Sequence, residues 1–125
     1  MKVGVFMLTN FNELKSIASA EMNKSFPAGD KKCGVALAAK GGKLYKGHRV
    51  CFSDGQVLDA VDMALYAALE DGETRFVAVA ICGNNAPAKS ALCRLAKFSD
   101  MMVSLNIGAV SADTSLKKLL MQLGE

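Results

Sequence analysis

Asp59–Ile81 reads DAVDMALYAALEDGETRFVAVAI, and its two halves decide the fold. In the first half apolar residues recur at helical spacing. Together with Val57 just upstream, Val61, Ala64, Leu65 and Ala68 share one face, and Asp59, Asp62, Tyr66 and Glu70 share another. Ser53 and Gln56 form S-x-x-Q, which predicts a helix start with mutual capping there, and Gly72 predicts its end. The second half continues into a nearly unbroken apolar run, RFVAVAIC at 75–82, as expected of a strand covered on both faces. A helix leading directly into a doubly covered strand is the signature of an α/β domain.

Working outward, CGVALAA at 33–39 and a second run at 43–52 are joined across KGGK, which predicts a hairpin. Ahead of it, Asn10 and Glu13 resemble a capping box, and Leu14, Ile17, Ala18 and Met22 supply a helical stripe that Pro27 and Gly29 end. Residues 3–8, VGVFML, suit a strand or an apolar arm. Downstream, GNNAPAK at 83–89 is expected to be a loop, 90–98 a short helix and 102–110 a strand. Asp113 is placed to cap a last helix bearing Leu116, Leu119, Leu120 and Leu123, which Gly124 closes. The order helix, hairpin, helix, strand, helix, strand, helix predicts a mixed sheet with helices on both faces, a three-layer α/β/α sandwich.

The chain has 125 residues, enough for one core and too few for two. Its 15 Lys and Arg against 12 Asp and Glu leave +3, which argues against nucleic acid as the partner. Lys40, Lys43 and Lys46 around the Gly41–Gly42 turn suit an edge strand kept soluble. None of the four cysteines, Cys33, Cys51, Cys82 and Cys93, forms a C-x-x-C pair, so the expectation is a reduced, cytoplasmic protein. The six-residue apolar run after Lys2 is too short for a signal h-region or a membrane span. Seven methionines, Met101 and Met102 adjacent, suit adaptable packing in a core or at a subunit contact.

Several stretches together resemble the small cytidine deaminase and blasticidin-S deaminase superfamily. CGVALAAKGGKLYKG resembles its Gly-Ala-rich first hairpin, and DAVDMALYAALEDGETRFVAVAI its zinc helix, turn and third strand. KSALCRLAKF resembles the loop and helix that carry its paired cysteines, and SLKKLL its closing segment. The likeness spans residues 11–123, within a domain at 11–125 preceded by an extension at 1–10. It implies a cytidine deaminase-like fold. In that family three protein ligands hold zinc, a fourth position holds water, and a glutamate moves protons; the signature is His-or-Cys, Ala, Glu, then Pro-Cys-x-x-Cys.

Carried onto this chain, the signature is degenerate. Asp59 stands at the first ligand position, Val61 at the proton shuttle and Ser90 at the first paired cysteine, with Lys89 where the proline would be. Only Cys93 remains. Asp can bind zinc, but a serine hydroxyl stays protonated at neutral pH and an isopropyl group moves no proton. The family's nucleoside-binding Asn-x-Glu falls at His48-Arg49-Val50, and its stacking aromatic at Lys31.

The resemblance therefore implies a deaminase fold without deaminase chemistry or zinc, acting as a binding or assembly subunit. It also implies a homo-oligomer, dimer or tetramer, with a nucleoside or nucleotide as ligand and no membrane. The alternatives are an active deaminase with unorthodox ligands (Asp59, His48 and Cys93 around zinc) and a nucleotide- or RNA-binding module. Cys93 beside Arg94 at a helix start would favour thiolate and allow a Cys93–His48 couple, but the reading preferred over it is an inherited residue in a pocket that no longer binds metal. The plain reading of Asp59 and Asp62 is a solvated stripe near a helix N-terminus, where negative charge is favoured.

Overall fold

The structure, a computed structural model, describes residues 3–26, 31–98, 102–107 and 110–122. The elements are α1 (Val3–Met22), β1 (Cys33–Ala39), β2 (Leu44–His48), β3 (Val50–Cys51), β4 (Val57–Leu58), α2 (Ala60–Glu70), β5 (Phe76–Gly83), α3 (Lys89–Ala96), β6 (Met102–Ile107), β7 (Val110–Ser115) and α4 (Leu116–Gln122). Five strands form one sheet in the order β2-β1-β5-β6-β7, and β3 pairs with β4 in a separate ribbon. β5 and β6 run parallel and the other neighbours antiparallel, so the sheet is mixed, as expected.

Both faces of β1 and β5 are covered, and the two faces differ in size rather than in polarity. Val35, Leu37, Val79 and Ile81 join the large core beneath α2, α3 and α4. Ala36, Ala38, Ala78 and Ala80 form a shallow second core with Leu14 and Ala18 of α1. Small residues on that side let the helix approach closely. At Gly34 an added Cβ would stand 2.2 Å from the Ala18 carbonyl oxygen of α1. On the other side, Gly47 does the same for α2, where a Cβ would stand 2.3 Å from the Ala60 carbonyl oxygen.

Three expectations are corrected. Residues 3–8 are neither strand nor arm: α1 runs unbroken from Val3 through Asn10, so no cap forms there. α2 does not begin at Ser53. Asp54 Oδ1 accepts from the Gln56 N–H, Phe52 N–H donates to the Gln56 carbonyl, and Gly55 adopts φ +92°, which turns the chain so that Val57 and Leu58 pair with Cys51 and Val50. The S-x-x-Q pattern is thus a strand-ribbon loop, and the cap of α2 is Asp59. Finally, Asp113 lies in β7 opposite Ser104, and Ser115 Oγ accepts from the Lys118 N–H at the start of α4. Pro27, Gly29, Met101, Leu123 and Gly124 lie outside the described residues.

Candidate functional site

The start of α2 and the start of α3 meet beside the C-terminal end of β5, where open α/β sheets place their sites. Asp59 joins them. Its backbone is extended (φ −73°, ψ 142°), and Oδ1 accepts from the Val61 N–H of its own helix at 2.9 Å. Oδ2 accepts from the Ala88 N–H at 2.8 Å. Ala88 is the N-cap residue of α3 and has no side chain with which to cap that helix itself. One carboxylate therefore serves two helix starts, an arrangement that satisfies N–H groups helices otherwise leave open.

Asp62, one turn on, makes a second link. Arg94 donates to it twice, Nε to Oδ1 at 3.0 Å and Nη2 to Oδ2 at 2.6 Å. The Asp62 hydrogen bonds and charge raise the Arg94 pKa. The two aspartates are neither an acid pair nor simply solvated: both tie α2 to the α3 segment.

The remaining signature positions divide by burial. Val61 is 1 % exposed and packs into the large core. Ser90 and Cys93 stand exposed on the first turns of α3. A thiol outside the signature, Cys33 at the start of β1, is buried in the same core as Val61. Burial pushes its pKa up to about 12, with the charges of Asp59 and Cys82 adding and Arg49 opposing. Such a thiol stays protonated and is no anionic ligand.

The residues carried over for nucleoside binding are spread apart. His48 pairs with Gly34 across β1–β2 and so faces α1, on the opposite side of the sheet from α2. There its Nδ1 donates to Glu21 Oε1 at 3.1 Å. Glu21, 4 % exposed, also receives Lys24 at 2.8 Å and lies 3.7 Å from Lys46. Burial raises the Glu21 pKa, but the hydrogen bonds from Lys24 and His48 and the nearby lysine charges outweigh it and hold the carboxyl below its usual value. Val50 sits in the β3–β4 ribbon opposite Leu58, and Lys31 is exposed.

The GNNAPAK loop has a structural anchor. Asn84 Oδ1 accepts from the Lys32 N–H, and the Lys32 carbonyl accepts from the Asn84 and Asn85 N–H groups. Gly83, at φ +151°, allows this, since a Cβ there would stand 2.2 Å from that carbonyl.

These donors do not suit zinc. The carboxylate at the first ligand position is committed to two N–H groups, the second position offers a hydroxyl, and the third offers a lone exposed thiol. Among the described residues no group of three His, Cys, Asp or Glu side chains is placed to hold a metal. With His48 on the far face, the set Asp59, His48 and Cys93 is not brought together.

The architecture defines the chain's class: it has the cytidine deaminase-like fold. The cytidine deaminase of Burkholderia pseudomallei superposes with a TM-score of 0.74 at 26% identity, over 86% of this chain and 94% of that one. The Mycobacterium leprae enzyme gives 0.73 at 22% identity over 89% and 97%, and the Mycobacterium tuberculosis enzyme 0.72 at 18% over 88% and 93%. No family model matches the sequence, and neither does any curated protein. Among the described residues no helix is long and apolar enough to cross a membrane.

Proposed function

We propose that this chain is a non-catalytic protein of the cytidine deaminase-like fold, one that makes no metal-bound hydroxide and works as a binding or assembly subunit. The observation that carries this reading is the state of Asp59. At the position where the fold's enzymes place a zinc ligand, both carboxylate oxygens hold helix starts together by hydrogen bonds to Val61 and Ala88. The clamp does the joining that a metal would do between the same two segments, with no open coordination position for water. Val61, buried beside it, has no proton to give.

The assembly role rests on the ribbon next to Asp59. Phe26, Phe52, Val57 and Leu58 are 62%, 51%, 48% and 36% exposed, and Phe26 bridges to Val50 of the ribbon itself. An apolar patch of this kind is a contact surface, and a second copy of the chain is its simplest occupant. Solved structures like this chain include cytidine deaminases, so the ligand class to try is a cytidine-type nucleoside.

Purified protein is expected to carry well under one zinc per chain by elemental analysis and to release no ammonia from cytidine. Stoichiometric zinc, or ammonia release that Asp59→Ala or Cys93→Ala abolishes, would establish the active-deaminase alternative instead. Sedimentation should give a dimer or larger species that Phe52→Ser or Val57→Ser dissociates; a monomer at all concentrations sinks the assembly role.

A further inference from the structure

Among the described residues the sheet carries α2, α3 and α4 on one face and α1 alone on the other. α1 packs on β1, β2 and β5, which leaves the β6–β7 half of its face beside the helix. The cleft between them has a volume of about 300 Å³. Its floor is made of small side chains, Ala18 and Ala80. Its walls carry Lys15 and Ser19 from α1, Cys82 from β5, Ser104 and Asn106 from β6, and Ser111 from β7.

Small residues and a gap are not a site in themselves. Ser104 supplies the second observation. The β5–β6–β7 register sets it between Ala80 and Asp113, on the face that α1 covers. It is only 5 % exposed, yet its hydroxyl has no hydrogen-bond partner among the described residues. The other two buried polar side chains among the described residues are engaged: Ser25 bonds to the Cys33 backbone, and Glu21 to Lys24 and His48. A buried hydroxyl left unpaired forfeits its solvation, so an isolated one aimed into a cleft marks a place for an incoming polar group.

We propose that this cleft is a binding site for a small, uncharged polyhydroxylated molecule of pentose size, separate from the α2–α3 junction. The size follows from the volume, which is at the low end for ligand pockets, roughly 300–1,000 Å³. The chemistry follows from the walls. Hydroxyls and a carboxamide both donate and accept, as sugar hydroxyls do. The charge follows from the rim, where Lys15 Nζ stands 3.5 Å from Asp113 Oδ2. That carboxylate offsets the ammonium and disfavours an anion beside it.

The test is a titration of the full chain with D-ribose, followed by amide chemical shifts. Saturable shifts are expected at Ser19, Cys82, Ser104 and Ser111, with millimolar affinity. Ser104→Val, which replaces the hydroxyl and fills the space, should weaken binding at least tenfold. Asn106 is exposed, so Asn106→Ala keeps the fold and should weaken binding several-fold even if the Ser104 variant fails to fold. Ribose 5-phosphate should bind no tighter than ribose. The proposal fails if the shifts do not saturate, which would leave water alone in the cleft. It also fails if both variants bind ribose as the parent does, or if the phosphate binds tenfold tighter, which would make the cleft an anion site.

Discussion

The two faces of the central sheet differ in how one buried polar group is left. On the α2–α3 face, where the fold's enzymes work, the polar side chains at Asp59 and Asp62 are spent on holding elements together. On the α1 face, where His48 and Lys24 are likewise engaged with Glu21, Ser104 is buried and unpartnered among the described residues. A protein's capacity to bind resides where polar groups lack internal partners. By that criterion Asp59 and Asp62 are occupied, and Ser104 on the α1 face is left without a partner among the described residues.

The largest effect should come from breaking the deeper face. Leu37→Ala removes a side chain 1 % exposed in the large core and should cost about 2–5 kcal/mol in urea unfolding. Ala36→Leu, its neighbour on the shallow face, should cost about 1–3 kcal/mol through overpacking against α1. If the two substitutions cost the same, the difference in depth between the faces is not energetic.

Next is the clamp. Asp59→Ala strips acceptors from two helix starts and should cost about 2 kcal/mol, whereas Asp59→Ser keeps a cap for α2 and loses only the link to Ala88. Equal losses for Ala and Ser would mean that the bond to Ala88 contributes nothing. A smaller effect separates the α1 face by pH. The folded Glu21 carboxyl titrates below its unfolded value, so its contribution is present above the ordinary carboxylate pKa and is lost as pH falls through the folded one. Glu21→Gln should therefore flatten the fall in urea midpoint below about pH 5, where unfolded carboxylates begin to protonate. Asp62→Ala should have the smallest effect, one that shrinks further in salt, because Arg94 is 52% exposed.

The parts of the fold legible from sequence were those whose cause is local or whose burial is total. The β1–β2 hairpin follows from Gly41–Gly42, and β5 from an apolar run too continuous for a half-wet strand. The β3–β4 ribbon was misread because S-x-x-Q satisfies the capping pattern, while the competing bonds come from Asp54 and from strand pairing. β7 was missed because Ser111, Asp113 and Ser115 lie along its polar side, which gives no apolar period. Of the site, Asp59 could be singled out, but its decisive partner could not. That partner is a backbone N–H 29 residues away, and every residue except proline has one. Alternation of large and small residues in CGVALAA was the available clue that the two helix layers differ in closeness.

Cys33 gives this molecule an internal clock. Thiols react as thiolates, and burial holds this one near 12, so an alkylating reagent must wait for the core to open. Cys93, exposed on α3, needs no such opening. Peptide-level mass spectrometry of a single labelling time course would thus give two separate times from these two thiols, one for mixing at Cys93 and one for the first breach of the interior at Cys33, with the half-buried Cys51 and Cys82 followed on their own peptides.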